Sequence, residues 1–388
     1  MDLDAFRWLL TDAGQRLLAR ATEVGDADPL RAQETLRREP DADAERAAAA
    51  LTQVGLRRRA AEKFGDDAAR LYFTPDGLEQ ATRRPVAAHR AARLAAFRAD
   101  SLVDLGCGIG GDLMAAAAVG VTCVGVDRDP VRVAVAEANL AALQLSGAVG
   151  VAEVTDVDLS PFAVAFADPA RRTGAGRTFD VDAWSPPWSF VQGLLARDAC
   201  VKVAPGIPHD LVPDGVEAEW VSHRGEVKEA ALWSGTLAST ARRATVIGDG
   251  GLATLTEDDD PGAEVREVGD YLYEPDGAVI RAGLVTAVAA GVQGGLIDEH
   301  LAYVTSDASF RTPFARSYRV LEHLPYREKP LKAALRERDI GRLTIKKRGV
   351  EVVPEQLRRR LDLRGDEEAT IVLTRVAGRG TCLLVAPF

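Results

Sequence analysis

The chain has 388 residues, of which 47% are hydrophobic, so it is long enough for two or three domains and is not disordered throughout. The formal net charge is −10, and the four cysteines lie far apart, without the paired spacing of a zinc site or a disulfide framework. The first residues lack the basic and apolar regions of a signal peptide, and the longest uncharged run, residues 282–297, is too short and too polar to span a membrane. We therefore expect a cytoplasmic protein with no membrane span and no metal.

The pattern of apolar residues divides the chain into three predicted domains. Residues 1–98 are predicted to be helical, because apolar residues recur at helical spacing and alanine-rich stretches follow. Residues 99–260 alternate strands and helices, which predicts an α/β domain with a parallel, doubly wound sheet. Residues 261–388 mix short strands and helices and predict a small α+β domain.

Within this last domain the sequence predicts individual elements. Residues 271–273 and 279–281 are predicted as short strands on either side of a turn. A helix begun by proline is predicted over residues 354–361, and a closing hairpin over residues 370–376 and 381–385.

The most informative stretch is SLVDLGCGIGGD, residues 101–112, which predicts a buried strand, a glycine-rich turn and the start of a helix. Gly106, Gly108 and Gly110 let the backbone turn sharply and approach a ligand, and the N–H groups of the following helix would face that ligand. The glycines fit both the GxGxxG pattern of dinucleotide sites and the GxGxG pattern of S-adenosylmethionine (SAM) enzymes. Alone, they do not decide between the two.

Three carboxylates near the ends of predicted strands favour SAM over a nicotinamide cofactor. Asp104 lies two residues before the first glycine, where a carboxylate could meet the methionine ammonium of SAM. Asp127 ends the next strand, 127 − 106 = 21 residues after Gly106, a spacing that suits a carboxylate chelating ribose hydroxyls in either cofactor class. Asp168 and Pro169 end a further apolar strand, and an Asp-Pro at this place is not part of the dinucleotide pattern.

The segments DLGCGIGG, GVDRDP, TDV and FADPARR resemble the class I SAM-dependent methyltransferases. The resemblance implies a Rossmann-like sheet with SAM as its cofactor. It places Asp104, the three glycines, Asp127 and Arg128 at the cofactor, and Asp156 with Val157 at the adenine.

Two further stretches extend the resemblance over nearly the whole chain. Residues 340–349, 357–361 and 369–376 resemble the THUMP-like domain that follows a bacterial group of these methyltransferases. Phe73 and Thr74, just before the SAM strand, are distantly similar to the helical lead-in of the RNA cap guanine-N2 (trimethylguanosine) synthase family, where the lead-in lies over the cofactor.

Charge is distributed unevenly along the chain. Residues 101–260 carry 11 basic and 23 acidic residues, whereas residues 327–364 carry 13 basic and 6 acidic residues. This asymmetry fits either a separate nucleic-acid surface or ordinary solvated faces of an arginine-rich protein. Because THUMP domains proper bind RNA, the resemblance implies an RNA substrate. The residues predicted to bind RNA are Arg342, Lys346, Lys347, Arg348, Arg358, Arg359 and Arg360.

The turn after the fourth predicted strand carries the predicted catalytic residues. Amino-methyltransferases of this class often use an Asp/Asn-Pro-Pro-aromatic turn, whose carboxylate or amide accepts the hydrogens of the target amine. Here Asp168 and Pro169 keep the acceptor and the first proline, while alanine and arginine replace the second proline and the aromatic residue. We predict Asp168, Pro169 and Arg171 as catalytic residues, with Arg171 stacking on a base or gripping a phosphate.

The sequence therefore predicts a SAM-dependent methyltransferase that acts on a nitrogen of a nucleotide in tRNA or rRNA. Two alternatives stay open. The enzyme could instead methylate a protein or a small molecule, or the chain could be an RNA-binding protein that holds SAM without catalysis.

Overall fold

The computed structural model describes residues 2–25, 28–171 and 184–388, with backbone only for residues 29, 170, 171, 184 and 185. Its contacts divide the chain into two compact units. Unit 1 comprises Met1–Val216 and Ala231–Ser239, and unit 2 comprises Glu217–Ala230 and Thr240–Phe388. The predicted domain boundaries, 98/99 and 260/261, stay a prediction. Within the described ranges, no helix is both long and apolar enough to cross a lipid bilayer.

The N-terminal part of unit 1 is helical, as the spacing of its apolar residues predicts. Asp2, Thr11, Asp28 and Asp43 each accept a hydrogen bond from a backbone N–H in the first turn of a helix, which stabilises the helix start. The helices are α1 (Leu3–Leu9), α2 (Asp12–Val24), α3 (Pro29–Leu36), α4 (Ala44–Phe64), α5 (Pro75–Gln80) and α6 (Arg84–Ala96).

The rest of unit 1 forms an α/β sheet. Its elements are β1 (Ser101–Leu105), α7 (Gly111–Ala118), β2 (Thr122–Asp127), α8 (Pro130–Ala142), β3 (Ala148–Val151), β4 (Val164–Ala167), β5 (Ala170–Arg171), β6 (Trp184–Ser185), α9 (Trp188–Leu194) and β7 (Ala199–Val203). Strands β7, β4, β1, β2 and β3 lie side by side in this order, and each neighbouring pair is parallel. The predicted doubly wound α/β fold is confirmed.

One apolar core joins the N-terminal helices to this sheet. Phe6 of α1 packs edge-on against Tyr72 with 5.6 Å between ring centroids, and the same cluster of buried residues includes Leu102 of β1 and Phe166 of β4. Burial of these side chains supplies the main favourable contribution to the stability of unit 1.

Two buried carboxamides fix the extended segment that precedes α5. Gln53 of α4 donates from Nε2 to the carbonyl of Phe73 at 2.6 Å and accepts from its N–H at 3.1 Å. Asn139 of α8 accepts from the Tyr72 N–H at 2.7 Å and donates from Nδ2 to the carbonyls of Tyr72 and Ile109, at 3.1 and 2.9 Å. Buried peptide groups outside a helix or sheet need such partners. These two side chains therefore supply the hydrogen bonds that a neighbouring strand would otherwise provide.

Unit 2 contains two sets of strands. Its elements are β8 (Glu217–His223), β9 (Glu226–Ser234), β10 (Arg242–Gly248), β11 (Gly251–Thr256), β12 (Tyr271–Pro275), α10 (Gly277–Ala282), α11 (Val285–Gly291), β13 (Gly295–Leu296), β14 (Val304–Ser306), β15 (Ala315–Leu324), α12 (Glu328–Glu337), β16 (Ile340–Lys347), α13 (Pro354–Leu361), β17 (Glu367–Val376) and β18 (Arg379–Pro387). The first set has the order β11-β10-β8-β9, and the second has the order β13-β14-β12-β15-β18-β17-β16. The last residues of β9 belong to unit 1.

The second set of strands forms an α+β layer with α12 and α13. Leu331 and Leu335 of α12, together with Leu357 and Leu361 of α13, share one apolar cluster with Leu343 of β16. The predicted helix over residues 354–361 is confirmed, and so is the closing hairpin, whose strands β17 and β18 pair antiparallel.

The predicted strand over residues 279–281 is wrong, because these residues lie in α10. The carboxylate of Asp276 accepts a hydrogen bond from the Ala278 N–H at 2.8 Å and thereby starts a helix. The Asp-Gly pair that suggested a turn between strands is the N-terminal cap of this helix.

We expect Asn139→Ala to lower the free energy of unfolding of unit 1 by about 2–4 kcal/mol, because the change leaves several buried peptide groups without partners. Equilibrium unfolding in urea measures this loss. Glu137→Ala, an exposed change on the same helix, is the matched control and should shift stability by less than about 0.5 kcal/mol. Equal midpoints for the two variants would contradict the role given to Asn139.

Candidate active site

The carboxyl ends of β1, β2 and β4 meet at one edge of the unit 1 sheet, where a cavity of about 510 Å³ opens. Strand β1 contributes Asp104 and Leu105 to its wall, β2 contributes Asp127, and β4 contributes Phe166, with Asp168 just beyond its end. Open parallel sheets bind ligands at this edge, in the crevice where the strand order reverses. The cavity therefore lies where the sequence predicts the cofactor.

The glycine turn has the backbone geometry that its sequence predicts. Gly106, Gly108 and Gly110 have φ angles of 87°, 55° and 84°, which residues with a Cβ rarely adopt. Gly106 and Gly108 line the cavity, and Gly110 is the left-handed residue that precedes α7. The N–H groups of Gly106 and Cys107 both donate to the carbonyl of Val126, which ties the turn to the end of β2.

Asp127 also holds the glycine turn. Its Oδ2 accepts a hydrogen bond from the Gly108 N–H at 3.0 Å, and its Oδ1 accepts one from the Asp129 N–H at 2.9 Å. Each carboxylate oxygen can accept a second hydrogen bond, so the side chain can still bind hydroxyl groups from the cavity. Arg128 is exposed and lines the cavity beside it.

Asp104 is a buried carboxylate in the cavity wall. The residue is 2% exposed, and none of the residues that the structure describes donates a hydrogen bond to its side chain. Burial, followed by the nearby charges of Asp112 and Asp168, raises the pKa of Asp104 well above its usual range, while Arg90 opposes this shift. A buried carboxylate that faces a cavity without a partner fits the ammonium group of SAM.

The lead-in segment reaches the cavity through α5 rather than through Phe73 and Thr74. Phe73 is fully buried against Phe64, with 5.3 Å between ring centroids, and the Thr74 hydroxyl accepts from the Gly77 N–H at 3.0 Å to cap α5. Gly77 itself lines the cavity, and an added Cβ there would lie 2.4 Å from the Ile109 side chain of the glycine turn. The structure thus does not bring the two predicted residues to the cavity wall, but it does bring the helix that they start.

The segment after β3 also contributes to the cavity. Glu153, Val154 and Thr155 line it, whereas Asp156 and Val157 are not among its lining residues. Asp156 is exposed at the end of a short 3₁₀ helix, Val154–Asp156, and Val157 follows it. The residues that the structure brings to the wall are the immediate N-terminal neighbours of those predicted.

Asp168 lines the cavity and forms an ion pair that the sequence analysis did not predict. Lys202 of β7 donates from Nζ to Asp168 Oδ2 at 2.5 Å and to the Thr82 hydroxyl at 3.3 Å. Pro169 follows directly and is half-buried. The side chain of Arg171 lies outside the described residues. The only sequence signal for Lys202 is a lysine inside an otherwise apolar strand.

Arg90 and Asp112 form a second unpredicted pair at the cavity. Arg90 is 3% exposed, donates from Nε to Asp112 Oδ1 at 3.2 Å, and places its guanidinium 4.6 Å from the ring centroid of Phe166. Asp112 lines the cavity. No sequence pattern indicates this pair, because its members lie on α6 and α7 and meet only in the folded unit.

Several of the predicted RNA-binding side chains are engaged within unit 2. Arg342 pairs with Glu368, Lys346 pairs with Glu274 at 2.7 Å, and Arg360 pairs with Glu328 at 2.8 Å. The positive charges of these three residues are therefore partly compensated by carboxylates of unit 2.

The other four predicted RNA-binding residues differ in their surroundings. Arg348 lies over the ring of Tyr303, 5.4 Å from its centroid, and Arg358 donates to the carbonyl of Leu343 at 3.0 Å. Lys347 and Arg359 are exposed, and no described residue pairs with either of them. No described cluster of three or more His, Cys, Asp or Glu side chains is arranged to hold a metal ion.

The strand order, the glycine turn and the acidic cavity define unit 1 as a Rossmann-like enzyme fold that binds a nucleotide-type cofactor. Two curated relatives from Mycobacterium tuberculosis, strains CDC 1551 / Oshkosh and ATCC 25618 / H37Rv, are each described as an uncharacterized S-adenosylmethionine-dependent methyltransferase. Each is 40% identical over 335 residues, which cover 83% of this chain and 90% of the relative. The chain therefore belongs to the SAM-dependent methyltransferases, and SAM is its cofactor.

Other comparisons concern the fold and the ends of the chain. A crystal structure from Porphyromonas gingivalis W83, provisionally assigned as a methyltransferase, matches with a TM-score of 0.76 and 22% identity over 96% of this chain and 98% of the other. A family model described as THUMP domain-like matches residues 315–387, and one described as a domain of unknown function matches residues 2–60. The C-terminal domain is thus THUMP-like. The distant similarity to the trimethylguanosine synthase family stays a prediction.

We expect SAM binding to release protons, because Asp104 has a raised pKa in the SAM-free protein and an adjacent ammonium favours its ionised form. Affinity should therefore rise with pH, by up to about tenfold per pH unit between the two pKa values. Calorimetry in buffers of different ionisation enthalpy measures the released protons.

Asp104→Asn should abolish this proton release and weaken SAM binding at least about tenfold. Asp100→Asn, an exposed change just before β1, is the control and should bind SAM like the wild type. Proton release that persists in Asp104→Asn would show that another group titrates.

Proposed function

We propose that this methyltransferase transfers the methyl group of SAM to a nitrogen of a nucleotide in tRNA or rRNA. The observation that carries the proposal is the position and bonding of Asp168, at the carboxyl end of β4 in the cavity wall. This is the position at which amino-methyltransferases of the class hold the acceptor of their Asp/Asn-Pro turn.

The bonding of Asp168 leaves one of its oxygens free for a substrate. Lys202 occupies Oδ2, while no described residue donates a hydrogen bond to Oδ1. The ion pair also fixes the carboxylate, because Lys202 is anchored in turn to the Thr82 hydroxyl in the cavity wall. A carboxylate with one occupied and one open oxygen can accept a hydrogen bond from an amine without losing its orientation.

In this proposal each side chain has a separate task. SAM, when bound, supplies an activated methyl group, so the protein has to exclude water and orient the nucleophile. Asp104 and Asp127 bind the cofactor, with the glycine turn between them. Asp168 Oδ1 accepts a hydrogen bond from the N–H of the target amine and directs the nitrogen lone pair into the cavity. As the N–C bond forms, the methyl–sulfur bond breaks, S-adenosylhomocysteine leaves as a neutral thioether, and Asp168 accepts the proton that the nitrogen loses.

An RNA substrate is supported by unit 2. The THUMP domain-like match over residues 315–387 is similar to domains that bind RNA, and Lys347 and Arg359 present uncompensated charges within this match. Phosphate contacts of lysine and arginine supply much of the affinity of proteins for nucleic acids. The remaining predicted RNA-binding residues need to exchange a carboxylate, a carbonyl or, for Arg348, an aromatic ring for a phosphate, so we assign them smaller contributions.

We expect Asp168→Asn to slow single-turnover methyl transfer to RNA at least about tenfold, or about 1.4 kcal/mol of barrier, because the amide keeps the shape but lacks the charge. SAM affinity should change less than about threefold. Rapid-quench measurement with radiolabelled SAM and total tRNA or rRNA gives the rate, and calorimetry gives the affinity.

Two matched variants make this test specific. Lys202→Met should slow transfer less than Asp168→Asn, because it removes the orienting group and keeps the acceptor. Asp210→Asn, an exposed carboxylate outside the cavity, should react like the wild type. A normal rate in correctly folded Asp168→Asn would contradict the proposed role of Asp168. Methyl transfer to protein instead of RNA would contradict the proposed RNA substrate.

A further inference from the structure

Thr82 contributes a second polar group to the wall of the unit 1 cavity, beside Asp168. Both residues line the cavity, and Lys202 bonds to both of them through one nitrogen atom. Its Nζ lies 2.5 Å from Asp168 Oδ2 and 3.3 Å from Thr82 Oγ1, so these two oxygens are no further apart than the sum of the two distances. One lysine therefore places a hydroxyl next to the carboxylate that accepts the target amine in the proposed function.

The Thr82 hydroxyl keeps its own proton for another partner. Because a lysine ammonium can only donate, Thr82 Oγ1 is the acceptor in the bond to Lys202. A hydroxyl that accepts one hydrogen bond can donate another, and within the described ranges no residue accepts one from Thr82. Asp168 Oδ1 is likewise an acceptor to which no described residue donates. The cavity wall thus holds one donor and one acceptor side by side.

The backbone next to Thr82 is fixed independently of this lysine. Lys63 of α4 donates from Nζ to three carbonyls, those of Leu78, Glu79 and Ala81, at 2.7, 2.5 and 3.0 Å. These carbonyls lie at the end of α5, where a helix leaves its last acceptors without partners. Thr82 follows directly and is 8% exposed, so both its backbone and its side chain are held in one orientation, as recognition of a substrate requires.

A donor beside an acceptor matches the edge of a cyclic amidine, in which an exocyclic amine lies next to an unprotonated ring nitrogen. Adenine, cytosine and guanine each carry such a pair. A lactam, as in uracil, also offers an N–H beside an acceptor, but its nitrogen has to lose the proton before it can attack. Carboxylates are weak bases for that step. The proton of an amine becomes acidic as the N–C bond forms, so a carboxylate can then accept it.

We propose that Thr82 determines which nitrogen is methylated, by donating a hydrogen bond to the ring nitrogen beside the target amine. Asp168 Oδ1 accepts a hydrogen bond from the amine at the same time. The two bonds fix the plane of the base and direct its amine, rather than its ring nitrogen, at the methyl group. The inference rests on the proposed function and narrows the target to an exocyclic amine next to a ring acceptor.

The test measures single-turnover methyl transfer by the full-length protein to RNA from a strain that lacks the gene. Thr82→Val keeps the shape but removes the hydroxyl, so it should slow transfer at least about fivefold and change SAM affinity less than about threefold. Thr82→Ser keeps the hydroxyl and should react within about threefold of the wild type. Thr122→Val, an exposed change at the start of β2, is the matched control and should react like the wild type. A larger loss of SAM affinity than of rate in Thr82→Val would assign the residue to the cofactor and overturn the inference.

A double variant separates recognition of the base from an effect through Lys202. Adding Thr82→Val to Lys202→Met should slow transfer at least about threefold further, because the hydroxyl contacts the base directly. Melting temperatures confirm that the variants are folded. Equal rates with and without Thr82→Val in this background would show that Thr82 only holds the lysine, and would overturn the inference.

Nucleoside mass spectrometry of the RNA product distinguishes this inference from the proposed function. The wild type should place the methyl group on an exocyclic amine of adenine, cytosine or guanine. Methylation of a ring nitrogen would overturn the inference while the proposed function stands. If no nitrogen of RNA is methylated, both are overturned.

Discussion

The cavity of unit 1 depends on the hydrogen bonds of Asn139, which join two segments that belong to neither a helix nor a strand. Its carboxamide joins the extended segment at Tyr72 to the glycine turn at Ile109. Gln53 holds the next residue of the same segment in the same way. Because α5 starts directly after this segment and approaches Ile109 closely at Gly77, one buried amide sets the distance between the glycine turn and the helix opposite it. The geometry of the cavity is therefore a property of the packed helices as much as of the sheet.

The distribution of charge around the cavity follows from this packing. Unit 1 collects several carboxylates at one sheet edge, and burial together with the nearby charges of Asp112 and Asp168 raises the pKa of Asp104. Asp112 is compensated by Arg90 and Asp168 by Lys202, so two of these charges are neutralised locally. Asp104 has no such partner among the described residues. We propose that the ammonium group of the cofactor pairs with Asp104, which would explain how an acidic cavity binds a cationic cofactor.

The architecture could be predicted from the sequence because its signals are local. A glycine turn between an apolar strand and a helix, and an acidic residue at the end of the next strand, are dictated by backbone sterics and hydrogen bonding over a few residues. These signals located Asp104, Asp127 and Asp168 at the sheet edge. Where a local signal was ambiguous the prediction failed, since Asp276 and Gly277 are compatible with a turn and also with the helix cap that forms.

The partners of the site residues could not be predicted, because they arrive from distant parts of the chain. Lys202 lies 34 residues from Asp168, and Asn139 lies 67 residues from Tyr72. Lys202 is the single charged residue of β7, and Asn139 is the one polar residue among the buried residues of α8. Such a pattern indicates a buried hydrogen bond but not its partner.

We propose that this SAM-dependent methyltransferase modifies a nitrogen of an RNA nucleotide. The most direct measurement supplies SAM with a deuterated methyl group to the purified protein and to RNA from a strain that lacks the gene, then digests the RNA for nucleoside mass spectrometry. We expect one deuterated nucleoside with its label on a base nitrogen. The label should be absent from RNA of the parent strain, because that position is already methylated there. Label on carbon or ribose, or no label in RNA while protein or small molecules are labelled, would contradict it.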